Sequence, residues 1–148
     1  MPQTLSFNLV HIVFSTKSRL PLIRDDVAAD LHAYIAGTAR KLNCECFRVG
    51  GMADHVHLAI RLNPTVLAAK IVSEVKTSSS VWMKEHGIPN FAWQRGYGLF
   101  SVGPADLDAL VQYIDAQKNH HRRRSFQDEM HAFFEKYHVA FDEQYVWD

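Results

Sequence analysis

An α+β fold organised around one antiparallel sheet is predicted by three features of the 148-residue chain. Extended and helical stretches follow the order strand, helix, strand, strand, helix, strand. His55 to Leu62 alternates in polarity with the period of two that belongs to a half-buried strand, and the helical stretches carry apolar residues three and four apart. That order describes a ferredoxin-like (split βαβ, RRM-like) sheet with two helices on one face. Further helical stretches follow at the C-terminal end.

Leu5 to Ser15 is rich in Val, Ile and Phe and lacks Gly and Pro, the composition of a strand buried on both faces. A basic loop, Thr16 to Arg24, leads to a helix capped by Asp25 or Asp26. Its apolar positions are Val27, Leu31, Tyr34, Ile35 and Leu42, and Arg40 and Lys41 suit the negative end of its dipole. Cys44 to Val49 reads as a short strand, Gly50-Gly51 punctuates it, and His55 to Leu62 completes a β-hairpin. Asn63 and Pro64 start a second helix, through Ile71, Val75 and Trp82, which Gly87 and Pro89 end. Phe91 to Val102 is extended, interrupted by Gly96 and Gly98. Pro104 opens a third helix to about His121, Ser125 with Asp128 starts a last one to about Tyr137, and Phe141 to Asp148 forms a tail. One domain over 1–148 is expected: a split βαβ core at 1–102, the helix bearing Tyr113 at 103–124, and a C-terminal helix and tail at 125–148.

At 47% hydrophobic and 22% charged residues, a chain of this length can bury a core without a metal or disulfide staple. Sixteen basic residues balance sixteen acidic ones, so a polyanion could be held only by local patches. The chain does not open with a basic segment followed by an apolar one, and no apolar run approaches the ~18 residues that span a bilayer. A cytoplasmic protein with no membrane partner is expected. Cys44 and Cys46 suit reduced thiols.

Along His55 to Leu62, Val56, Leu58, Ile60 and Leu62 take one face and His55, His57, Ala59 and Arg61 the other. The apolar face must meet the helices. Two imidazoles and a guanidinium therefore stand together on the helix-free face, where they suit a divalent ion and an anionic substrate. His-x-His alone is weak, because nine histidines make chance pairs common and two half-buried polar strand residues would look the same. In the third helix Leu107, Leu110, Val111 and Ile114 form the apolar stripe, and Tyr113 and Gln117, four apart, share its flank, as an ordinary boundary tyrosine would.

Taken in order, these motifs and several others resemble the small HUH single-tyrosine transposases of bacterial insertion sequences, of the insertion-sequence-two-hundred/six-hundred-and-five type. The resemblance spans nearly the whole chain. It is carried by Val13-Phe14-Ser15-Thr16-Lys17 with Arg19 and Pro21, by Asp54-His55-Val56-His57-Leu58, and by Gly96-Tyr97 with Phe100-Ser101-Val102. It continues in Tyr113-Ile114-Asp115-Ala116-Gln117 and in the His120-His121, Arg122 to Phe126 and Glu143 to Asp148 stretches. The resemblance implies that His55 and His57 bind a divalent ion, Mg²⁺ or Mn²⁺, that Gln117 completes the metal site, and that Tyr113 is the nucleophile, carried by the C-terminal helices. It further implies a DNA transposase that cuts and rejoins single-stranded DNA at imperfect hairpins near element ends through a 5′-phosphotyrosine. A homodimer in which one subunit's tyrosine helix completes the other's metal site is implied as well. Ala53 departs from the pattern, which has a proline there. Among the basic residues, Lys17, Arg19, Arg61 and Arg95 are candidates for a DNA track, with Arg24, Lys118 and Arg122 to Arg124 nearby in kind, and Trp82, Trp93 or Tyr97 as stacking surfaces.

The implied chemistry is coherent. A phosphodiester resists attack because its oxygens are negative, and a divalent ion polarises the phosphoryl oxygen. A covalent ester keeps the phosphoryl group activated, so another 3′-hydroxyl can join strands without ATP. A free phenol titrates near ~10 and needs help to lose its proton, which Gln117 cannot accept; the sequence names no base. Two alternatives use the same residues. If Gly50-Gly51 is a two-residue hairpin loop, Cys46 faces His55 and Cys44 faces His57, offering a structural Zn²⁺ site. A catalytically silent nucleic-acid-binding relative would keep the sheet, although an RRM-type module needs aromatic residues where His55 and His57 stand.

Overall fold

In the computed structural model, residues 3–117 and 125–140 are described; the expected helix end at His121, the basic residues Lys118 and Arg122 to Arg124, and the tail from Phe141 lie outside them. Strand β1 (Asn8–Ser15) runs through the middle of a four-stranded sheet with β2 (Glu45–Met52), β3 (His55–Leu62) and β4 (Gly98–Val102), in the order β2-β3-β1-β4. Every pairing is antiparallel. Helices α1 (Asp25–Lys41) and α2 (Ala68–Glu85) make the two crossovers, as expected for the ferredoxin-like order. Helices α3 (Leu107–Asp115) and α4 (Phe126–Lys136) follow. No helix among the described residues is long and apolar enough to cross a membrane.

The two sides of the sheet carry different cores. Val10, Ile12 and Phe14 of β1 and Val56, Leu58 and Ile60 of β3 point to one side, where they meet Leu31 and Ile35 of α1 and Ile71, Val75 and Met83 of α2. Each such fully buried aliphatic side chain contributes roughly 1.5–3 kcal/mol. The opposite side, expected to be free of helices, is covered by the last two. Phe126, Met130 and Phe134 of α4 pack on Val13 and Phe100, and Leu110 and Ile114 of α3 pack on Ala59.

Several boundaries differ from the sequence reading, each for a local reason. Asn63 does not cap α2; its side chain accepts from the Thr65 amide at 3.0 Å and hydroxyl at 2.7 Å, closing a turn of its own, so the helix begins at Ala68. Phe91 and Trp93 leave the strand for the helix-side core, packing edge-to-face at 4.7 Å, and regular pairing of β4 starts only at Gly98. The last helix starts as expected, with the Asp128 amide donating to Ser125 Oγ at 3.1 Å.

The hairpin holds the largest correction. The turn falls at Ala53-Asp54, so Gly50 and Gly51 lie inside β2, opposite His57 and Val56. Both glycines answer to close approach. A Cβ on Gly51 would stand 2.2 Å from the His55 carbonyl oxygen, and one on Gly50 would stand 2.7 Å from Ile114 Cγ2. Gly50 thereby lets α3 lie flush on the sheet. With this register Cys46 pairs with Ile60, and both thiols sit in the helix-side core, on the face away from the imidazoles. The structural Zn²⁺ alternative therefore fails, and burial pushes the Cys46 thiol up to about 11, the behaviour of an inert thiol.

Gly50→Ala should destabilise the protein by about 1–3 kcal/mol through overpacking against Ile114, read as a lower urea midpoint. An unchanged midpoint would mean that α3 stands off β2 in solution.

Candidate functional site

Strand alternation brings His55 and His57 to the side covered by α3 and α4, with ring centroids 5.0 Å apart and no solvent exposure. Each imidazole is held through its Nδ1. Asp54 Oδ1 lies 2.7 Å from His55 Nδ1, and His11 Nε2 lies 2.7 Å from His57 Nδ1. Both Nε2 atoms are thus turned toward one place, where His55 Nε2 lies 3.0 Å from Gln117 Oε1 and His57 Nε2 lies 2.9 Å from Glu129 Oε1. The motif after β1 supports the turn before His55: the Thr16 amide donates to the Asp54 carbonyl at 2.8 Å and its hydroxyl to the Leu20 carbonyl at 2.6 Å. Ala53, at the expected proline position, accepts from the Ile23 amide at 2.9 Å and keeps the turn at two residues.

Helix α3 delivers Tyr113, and Gln117 follows just past its end, because the helix expected to run on through both stops at Asp115. Ile114 anchors it on Gly50 and Ala59, which directs its flank toward the histidines. The Tyr113 ring stands edge-on to His57 with centroids 5.6 Å apart, and Gln117 is buried beyond it. All four predicted chemical residues therefore meet in one cluster within a single chain.

Two further members were missed. His11, in the middle of β1, stacks on His57 at 5.0 Å and is boxed by Phe100, Phe133 and Tyr113; burial, then the neighbouring His57, holds it well below its usual titration range. Glu129, 3% exposed on α4, receives a hydrogen bond from Tyr113. Burial alone would raise its carboxyl, but the His57 hydrogen bond and the charges of His57 and His55, with the Tyr113 bond, outweigh it and bring the group to about 2. A signal existed for both. Glu129 interrupts the apolar stripe Phe126, Met130, Phe133 and Phe134, and His11 interrupts the run of Val, Ile and Phe around it.

The DNA-track candidates divide. Ser15 pairs with His55, the Lys17 amide donates to the Ala92 carbonyl at 2.9 Å, and Thr16 bridges to Trp93, so Lys17, Arg19 and Arg95 gather at the His55 end of the sheet. The loop bearing Arg95 is fastened by the Lys76 ammonium, which donates to the carbonyls of Gln94, Arg95 and Gly96 at 2.8–3.1 Å. Arg61 lies six residues along β3, roughly 20 Å away, so it does not join the histidines; it bonds the Ser6 carbonyl at 2.6 Å and covers the Phe7 ring. Trp93 belongs to the core, and Trp82 stacks on His86 and Tyr34 beside α1, which leaves Tyr97 as the exposed aromatic beside Arg95.

The cluster fits a divalent metal. Ligand atoms of His55, His57 and Glu129 lie within 4.8 Å of one another, and the Gln117 oxygen adjoins them. Two imidazoles with oxygen donors suit a first-row ion or Mg²⁺, and hydrogen bonds behind both imidazoles are the usual support of metal-ligating histidines.

Comparison with known proteins agrees with this fold. The family described as "Transposase IS200 like" matches residues 6–117, and the chain belongs to it. A crystal structure from Deinococcus radiodurans R1, provisionally assigned as a transposase, is similar at 22% identity with a TM-score of 0.64, covering 79% of this chain and 95% of that one. A REP-associated tyrosine transposase bound to a REP hairpin is similar at 16% identity with a TM-score of 0.61, covering 82% of this chain and 74% of that one. No curated protein matches the chain.

Because Glu129 titrates below an ordinary carboxyl, its ionised form stabilises the fold above about pH 4.5, and that contribution is lost as the pH falls toward 2. With chelator present, the wild-type melting temperature should drop across this window more steeply than that of Glu129→Gln. Parallel curves would contradict the buried pairing with His57.

Proposed function

We propose that the protein cuts and rejoins single-stranded DNA at hairpin-marked insertion-sequence ends, with Tyr113 as the nucleophile and a 5′-phosphotyrosine as the intermediate. The observation that carries this reading is the Tyr113 ring beside His57 in a buried cluster with His55 and Gln117. Family membership and the likeness to a tyrosine transposase solved with a DNA hairpin support it.

His55, His57 and Gln117 would hold Mg²⁺ or Mn²⁺, which when bound polarises a phosphoryl oxygen. The Tyr113 oxygen attacks phosphorus, the ester bond to the 3′-oxygen breaks, and that oxygen leaves as a 3′-hydroxyl after taking a proton. Rejoining reverses the order, with an incoming 3′-hydroxyl attacking and the phenol leaving. Glu129 accepts the Tyr113 hydrogen bond and so aims the hydroxyl. Its carboxyl is held well below the usual carboxylate range by His57, far from the range of a phenol, so Glu129 orients the nucleophile and does not ionise it alone. Lys17, Arg19 and Arg95 would follow the DNA backbone at the His55 end, with Tyr97 as a stacking face, and Arg61 would meet only a strand extending along the sheet. The working form is a homodimer whose tyrosine helices can complete each other's sites.

A labelled hairpin strand with Mg²⁺ or Mn²⁺ should give a covalent adduct with the wild type and none with Tyr113→Phe. Chelator or His57→Ala should abolish cleavage and leave hairpin binding largely intact. An adduct surviving in Tyr113→Phe would refute the nucleophile. Lys17→Ala and Arg95→Ala should each lower the salt slope of hairpin binding by about 1, and Arg61→Ala should lower it less.

A further inference from the structure

The metal reading above needs only His55, His57 and Gln117, yet a fourth donor from a different helix occupies the same cluster. We propose that Glu129 is a resident ligand, so that the site is an anionic two-imidazole, amide and carboxylate set that takes up a transition ion such as Mn²⁺ before DNA arrives. The inference rests on that reading and adds a selectivity-determining residue to it.

Placement is the first argument. Glu129 Oε1 lies 2.9 Å from His57 Nε2, and its carboxylate falls within 4.8 Å of the ligand atoms of both histidines. Glu129 and Gln117 each sit at hydrogen-bond distance from one imidazole Nε2, the atoms an ion would draw upon. The second argument is charge. His55, His57, Gln117 and Glu129 are at most 3% exposed, and a divalent ion among neutral donors alone would be an uncompensated double charge in a dry cluster. A neutral set must wait for phosphate to supply the anion; the Glu129 carboxylate supplies one already. The third is ion preference. Imidazole nitrogens favour later first-row ions over Mg²⁺, which prefers oxygen and keeps several waters that a buried set of donors would strip.

The arrangement also couples the ion to α4. This helix is seated by Phe126, Met130 and Phe134 on Val13 and Phe100, with the Phe126 ring stacked 4.6 Å from that of His55. An ion that binds Glu129 stabilises the seated helix, by the linkage that applies to any ligand of one state.

The test uses the whole protein, free of DNA and stripped with chelator, titrated with Mn²⁺ by calorimetry and followed by Mn²⁺ paramagnetic resonance. One ion should bind per chain, Glu129→Gln should weaken it by roughly tenfold or more, and His57→Ala should abolish it. In the wild type, where no variant has to fold, Mn²⁺ should slow amide exchange in α4 as well as in β3. Wild-type affinity in Glu129→Gln, or protection of β3 without α4, would overturn the proposal. Failure of the wild type to bind Mn²⁺ without DNA, while hairpin cleavage still requires the ion, would overturn the role of Glu129 and leave the metal reading standing. Mn²⁺ uptake and cleavage both unaffected by His57→Ala would overturn the metal reading itself.

Discussion

Strand β3 has to satisfy two surroundings at once, and the rest of the molecule is arranged around that requirement. Val56, Leu58 and Ile60 close the core under α1 and α2, and the residues between them present imidazoles to the other side. A slip of one residue would drive His55 and His57 into the aliphatic core, so every buried aliphatic contact on the helix side also resists misplacement of the histidines. Pairing with β1 from Asn8↔Leu62 to Ser15↔His55 extends that resistance along the strand.

Imidazoles denied water must find partners, and the partners come from every part of the chain. Asp54 comes from the turn, His11 from β1, Gln117 from beyond α3 and Glu129 from α4. Such a network is most valuable when complete, because a low-polarity surrounding strengthens each bond and penalises each omission. The same dryness suits phosphoryl chemistry, in which a nucleophile must be aimed in a site from which competing water is excluded. One sheet face thus combines strong electrostatics with a fixed tyrosine.

Much of this was legible in the sequence. The element order, the Ser125 cap and the alternation of His55 to Leu62 each follow from a local rule, whereas the helical periodicity that put Gln117 on one flank with Tyr113 did not foresee that α3 stops at Asp115. Where the reading went astray, the determining contact was remote in sequence. Gly50-Gly51 reads as a turn because glycine pairs usually mark one, but what excludes a side chain at Gly50 is Ile114, on a helix across the sheet. Likewise, the break that Glu129 makes in the apolar stripe of α4 marks the position, but what it does there is set by partners on β3 and α3. Arg61 shares the facing of His55 and His57, but a period of two says nothing of distance along the strand, and its place six positions on from His55 puts it with Phe7 instead.

The division of the core between two sheet faces has a mechanical outcome. No side chain of α3 or α4 enters the cluster that joins α1 and α2 to the sheet. Their smaller clusters, around Ala59 and around Phe100, rest on a platform already complete beneath them. The sheet with α1 and α2 thus closes its own core without drawing on either terminal helix, so loosening the contacts around Ala59 or Phe100 would cost the helix they seat and leave that core whole.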